Sequence, residues 1–226
     1  MKEIMGFDID KAYDYEHGFY LTSSIVRLAK LLTHYELYKM IIHLPGHVIE
    51  CGVFKAATFL QWATFREMLE NPYSRKIIGF DTFGKFPDAQ FPDDQKFRNE
   101  FVQKAGEWSI SVDDLKKSCE RKNIINFELI KGDINQTVPR YVSENPHLKI
   151  SLLHIDTDLY EPSKTVLSNL YSKVVAGGII VLDDYGTFPG GTKAIDEFLA
   201  QHQLEIRKFP FSNWIPSYCV KPHSDR

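Results

Sequence analysis

The chain predicts an α/β fold, a parallel sheet with helices packed on it. Three observations carry that expectation. Short apolar runs recur at 47–52, 76–81, 126–130, 149–155 and 178–182, each of strand length and without the alternation of a half-exposed strand. The segments between them place apolar residues at helical spacing, and strand, helix, strand at this distance implies a right-handed parallel crossover. Two of the runs end in paired carboxylates, Asp156 with Asp158 and Asp183 with Asp184, as expected where parallel strands present a ligand-binding edge.

Bulk composition narrows the classes. With 226 residues the chain builds one sizeable core, and two full domains would be crowded. Hydrophobic content of 43% and charged content of 25% are ordinary for a globular protein. A net charge of -3 offers no electrostatic argument for nucleic acid or an anionic membrane. Cys51, Cys119 and Cys219 are odd in number and scattered, which fits a reducing cytoplasm and neither a disulfide framework nor a zinc site. No apolar run approaches the roughly 20 residues of a membrane span. The opening MKEIMGFDID lacks the apolar centre of a signal peptide. The expectation is a cytoplasmic protein with a small-molecule partner and no nucleic-acid or membrane partner.

Taken in order, residues 1–20 read as an irregular arm or short helix. Ile25, Leu28, Leu32, Tyr35 and Tyr38 then predict one long helix over 22–43, closed by Leu44-Pro45-Gly46. Residues 1–46 thus lead a domain at 47–226. Trp62, Phe65 and Leu69 mark a helix over 57–70 after the first strand. Residues 82–112 break the rhythm, with Phe83, Phe86, Phe91, Phe97, Phe101 and Trp108 among prolines and acids. An insertion this long and aromatic reads as a lid or binding loop, or as a surface segment packed for stability. Helices over 112–122 and 137–145 flank the third strand. Val166, Leu167, Leu170 and Tyr171 mark the helix between the fourth and fifth strands. A loop at 185–191, a helix over 192–202 and a hairpin of 204–209 with 217–220 complete the chain.

The motifs point to chemistry at one sheet edge. Four carboxylates brought together repel one another unless a cation or proton compensates them, and a hard divalent ion with oxygen ligands does so. The alternative is strand-end acids that are solvated or cap helices. After the first strand, Glu50-Cys51-Gly52-Val53-Phe54 lacks the G-x-G-x-x-G of a pyrophosphate cradle. An acid beside one glycine suits a smaller cationic ligand such as S-adenosylmethionine. Asp81 is placed to accept ribose hydroxyls and Asp133 to meet an adenine amino group, or each caps a turn.

In the order ECGV, IGFD, KGDI, HIDTDLYEPS and GGIIVLDDYG, the chain resembles the macrocin-type (TylF-like) sugar O-methyltransferases, a class I S-adenosylmethionine-dependent family. The resemblance runs from the long helix to about Leu199 and is densest from Leu152 to Asp196. It implies a Rossmann-like, seven-stranded, mostly parallel sheet with helices on both faces and one antiparallel strand from the C-terminal hairpin. It implies a cofactor pocket of Glu50, Gly52, Val53, Thr58, Asp81, Thr82, Phe83, Gly132, Asp133 and Asp156. It also implies Mg²⁺ on Asp156, Asp183 and Asp184, with Asp158 and Asp156 as the catalytic carboxylates. The expected reaction is methylation of a hydroxyl on a sugar or glycosylated small molecule, and a homo-oligomer is compatible with it. Lys55-Ala56-Ala57-Thr58 departs from the family's more glycine-rich turn.

Such a reaction needs a cation to lower the hydroxyl pKa, a carboxylate to take the proton, and in-line alignment of oxygen, methyl and sulfur. Asp158 reads as that base or as a fourth ligand. Two rivals remain at this point. One is phosphoryl or glycosyl transfer at a D-x-D site, although three strands precede the motif. The other is a non-catalytic S-adenosylmethionine binder on the same fold.

Overall fold

The computed structural model describes residues 2–212 and 215–223. An antiparallel pair, β1 (Glu3–Ile4) and β2 (Phe7–Asp8), opens the chain, followed by α1 (Ala12–Thr22) and α2 (Ile25–Lys39). Where one helix was expected from residue 22, there are two. Ser23 and Ser24 both take extended backbone, ψ 147° and 156°, and separate them. Then come β3 (His47–Cys51), α3 (Ala57–Leu69), β4 (Ile77–Asp81), α4 (Asp94–Ala105), α5 (Val112–Arg121) and β5 (Phe127–Lys131). The rest is α6 (Ile134–Glu144), β6 (Ile150–Ile155), α7 (Tyr160–Leu170), β7 (Val174–Leu182), α8 (Pro189–His202) and β8 (Ser217–Val220).

The main sheet runs β5-β4-β3-β6-β7-β8, parallel except for β8, which pairs antiparallel with β7. Among the described residues the main sheet thus has six strands. The seventh, expected at 204–209, is reduced to one bridge between Arg207 and Tyr218. In that register Phe209 would face Pro216, which has no N–H to extend the ladder.

Side chains alternate across the sheet, so each strand feeds two cores. Val48, Leu152 and Val181 meet Leu37, Tyr38 and Ile41 from the α2 segment and Trp62 of α3 on one face. Ile49, Leu153 and Ile180 meet Val138, Val166 and Ile195 of α6, α7 and α8 on the other. Covering both faces is what makes the central strands read as unbroken apolar runs. Because Leu37 and Tyr38 lie inside the first core, α2 is built into the sheet domain. Strand order reverses between β3 and β6, so a crevice opens at their carboxyl ends. Gly52 stands in it with φ +91°, and a Cβ there would lie 1.7 Å from the Asp156 carbonyl oxygen. Only glycine fits that approach.

The segment 82–112 holds α4 and is tied down. Arg98 donates from Nε to the Pro87 carbonyl (2.6 Å) and from Nη2 to the Phe86 carbonyl (3.1 Å) and Glu107 (3.2 Å). Buried Asp94 accepts from the Tyr160 N–H at the start of α7 (3.0 Å) and the Gly190 N–H at the start of α8 (2.7 Å). One carboxylate thereby caps two helices and complements both dipoles. No helix of the described residues is long and apolar enough to cross a membrane.

Candidate active site

A cavity of about 600 Å³ occupies the crevice. Of the residues expected there, Gly52, Val53, Thr58, Asp81, Thr82, Asp133, Asp156, Asp158, Asp183 and Asp184 line it. Glu50, Phe83 and Gly132 stand behind that lining. Phe86, Phe101 and Phe188 form an aromatic wall at the insertion side.

The strand-end acids have distinct local jobs. Asp81 Oδ2 accepts the backbone N–H groups of Val53 and Phe54, both at 3.0 Å, and Oδ1 accepts that of Phe83 at 2.6 Å. Asp81 therefore shapes the loop after β3 as well as facing the cavity. Asp133 N-caps α6, its Oδ1 accepting from the Asn135 N–H at 2.9 Å. Both cap alternatives are realised, and both residues still line the cavity. Glu50 is fully buried, with neither carboxylate oxygen hydrogen-bonded. Burial pushes its carboxyl up, against the opposing pull of His154.

The four aspartates fall into two environments. Adjacent positions at the end of β7 point to opposite sides, and Asp183 turns toward α2. Lys30 Nζ donates to Asp183 Oδ2 at 2.5 Å, while His154 Nε2 lies 3.2 Å and His34 Nε2 3.8 Å from Oδ1. Burial alone would raise the Asp183 carboxyl, but Lys30, His154 and His34 together hold it well below the usual range. Burial opposes charge on His154, while Asp183 and Glu50 carry its pKa up to about 10. Asp156, Asp158 and Asp184 form the other group, each with a ligand oxygen within 4.8 Å of the others. Burial and then repulsion among the four aspartates, with Asp183 the strongest repeller of Asp156, push all three well above the carboxylate range. The Asp158 backbone N–H donates to Asp184 Oδ2 at 3.0 Å. Asp158 has φ +59°, so a turn, and not the alternation of an extended strand, brings it beside Asp156.

Of the expected cation ligands, the structure therefore brings Asp156 and Asp184 together with Asp158. It sets Asp183 on a lysine. Lys30 and His34 were missed by sequence reading, although one signal was present. Lys30, His34 and Leu37 share the inner stripe of α2, where polar residues are costly unless partnered.

Against this geometry, residues 26–211 match the model of the macrocin O-methyltransferase (TylF) family. The chain belongs to that family. It is 26% identical over 172 residues to demethyldecarbamoylnovobiocin O-methyltransferase of Streptomyces niveus, covering 72% of this chain and 61% of that one. Mycinamicin III 3''-O-methyltransferase of Micromonospora griseorubida is 23% identical, covering 71% and 63% respectively. The chain thus matches little more than three fifths of the length of these relatives. Among solved structures, the calicheamicin methyltransferase CalS11 is 27% identical, with a TM-score of 0.73 over 92% of this chain and 84% of that one. The O-methyltransferase NovP, 21% identical over 86% of this chain and 80% of its own, reaches the same TM-score and shares the fold.

Proposed function

We propose that this chain moves the methyl group of S-adenosylmethionine to a sugar hydroxyl of a glycosylated small molecule, with Mg²⁺ held by Asp156, Asp158 and Asp184. The observation that carries the reading is the uncompensated carboxylate triad on the cavity wall of a chain in this family. Two relatives support the acceptor class by name. One is a 4'-O-methyltransferase of a rhamnosyl tetracenomycin, from Streptomyces olivaceus, and the other is described as a TDP-rhamnose 3'-O-methyltransferase.

The residues fit both groups. The triad offers only oxygen donors, which suits a hard cation, and among the described contacts no cationic side chain forms an ion pair with any of the three. The cavity has the size of a small-molecule site, and Asp81 and Asp133 at the ends of β4 and β5 suit a cationic nucleoside. When bound, the cofactor supplies an electrophilic methyl and the cation lowers the pKa of the acceptor hydroxyl.

The chain supplies the rest. Asp156 is partly exposed on the cavity wall, and its carboxylate takes the hydroxyl proton. Asp158 and Asp184 fix its position. Asp81 holds the 53–54 loop and the ribose end. Phe86, Phe101 and Phe188 exclude water from the acceptor end, and the Asp94 and Arg98 anchors keep α4 and the start of the 87–91 segment seated beside it. Transfer of labelled methyl from S-adenosylmethionine to rhamnosylated acceptors tests the reading. Transfer should cease in EDTA and return with Mg²⁺. Turnover unchanged in EDTA would remove the cation, and absence of S-adenosylmethionine binding by calorimetry would remove the reaction.

A further inference from the structure

We propose that Lys30 of α2 binds the acceptor, its ammonium donating to the oxygen that receives the methyl group, which rests on the sugar O-methylation reading above. An ammonium carries three N–H donors. Among the described contacts Lys30 Nζ uses one, on Asp183 Oδ2 at 2.5 Å. Arg75, at the other end of the sheet, has acceptors at all three of its nitrogens. The Lys30 side chain is 15% exposed and lines the cavity. Its two remaining donors therefore lie at the wall of the site, where leaving them unmet is costly.

Position in the sheet says which ligand those donors meet. Asp81 ends β4 and Asp183 follows β7, three strand spacings or about 14 Å away across the cavity. Lys30, bound to Asp183, thus stands at the end remote from the nucleoside, beside Asp184 and the acids that follow β6. Burial opposes its charge, but Asp183, Asp156 and Asp184 attract it strongly enough to hold its pKa above the ordinary lysine value. A fixed ammonium there suits an oxygen on which negative charge grows. The hydroxyl proton passes to Asp156, the oxygen–methyl bond forms as the carbon–sulfur bond breaks, and Lys30 keeps its three protons throughout. Asp183 anchors the ammonium and leaves its other donors for the acceptor.

Calorimetry with S-adenosylhomocysteine bound, using methyl α-L-rhamnoside and TDP-rhamnose as acceptors, tests this alongside steady-state transfer. Lys30→Met should weaken acceptor binding and raise the acceptor KM about tenfold or more, while S-adenosylmethionine affinity stays within about threefold of the parent. The same substitution added to Asp183→Asn, where no buried carboxylate loses its lysine, should cost acceptor binding as much. A lysine that only neutralises Asp183 would cost nothing in that background, and the double variant also decides the matter should Lys30→Met alone fail to fold. Acceptor affinity unchanged by Lys30→Met in either background would overturn the proposal and leave the methyltransferase reading standing. A loss confined to S-adenosylmethionine would overturn it too, assigning Lys30 to the methionine carboxylate. A parent that neither binds S-adenosylmethionine nor transfers methyl would remove the reading itself, and the role of Lys30 with it.

Discussion

The two ends of the sheet bury opposite charges and treat them differently. At the amino end Arg66 and Arg75 are surrounded by acceptors. Arg66 donates to the carbonyls of Arg75, Ile125 and Asn126 and to Glu67. Arg75 donates to Glu70, Ser151 Oγ and the carbonyls of Ile41, Gly46 and Leu44. At the carboxyl end four aspartates meet, and only Asp183 has an ion-pair partner among the described residues. A buried charge with all its partners is architecture. Buried like charges without them are compensated by a proton or by a bound cation, and that is what separates a scaffold from a site.

The largest effect should come from breaking the satisfied end. Arg75→Met leaves Glu70 with only the Tyr38 hydroxyl as donor and strips several buried carbonyls of theirs, and should cost about 3–5 kcal/mol in urea unfolding at neutral pH. A cost under ~1 kcal/mol would mean the amino end relaxes freely and the contrast is false.

Next comes the split between two adjacent acids. Asp183→Asn strands Lys30 and His154 beside a neutral partner, and should cost about 2 kcal/mol. Asp184→Asn relieves repulsion, and in EDTA should leave stability within about 1 kcal/mol of the parent, on the stabilising side. Equal losses in the two variants would show that the triad is not under electrostatic strain.

The smallest effect is a pH dependence of opposite sign on the two sides. Asp183 is depressed, so it contributes stability above the unfolded pKa near ~4 and loses it as pH falls through its lower folded value. Asp156, Asp158 and Asp184 are raised, so their ionisation opposes folding as pH rises from ~4 through their folded values. Thermal unfolding in EDTA should therefore show stability declining on the alkaline side, and stabilisation by Mg²⁺ should grow with pH. A Mg²⁺ effect that shrinks with rising pH would contradict the assignment.

Much of the fold is legible in the chain because its signals are local. Val48, Ile49, Ile78, Leu152, Leu153 and Ile180 are strand residues buried on both faces, and the helices between them keep their apolar spacing. The departures come from single residues, Ser23 and Ser24 dividing the leading helix and Pro216 stopping the hairpin ladder. The acids at the strand ends were equally legible, since D-x-D and D-D each follow an apolar run. Their partition was not, because it depends on a lysine from α2 that reaches Asp183 across the fold. Asp94 is similar, as the helices it caps lie 66 and 96 positions away. No local pattern encodes either partner.

Calorimetric titration of Mg²⁺ into the parent and into Asp184→Asn, both purified in EDTA and exchanged into metal-free buffer, tests the central claim most directly. The account predicts a single saturable site in the parent and roughly tenfold or weaker affinity in the variant, a difference of about 1.4 kcal/mol or more. No binding by the parent, or equal affinity in both proteins, would contradict it.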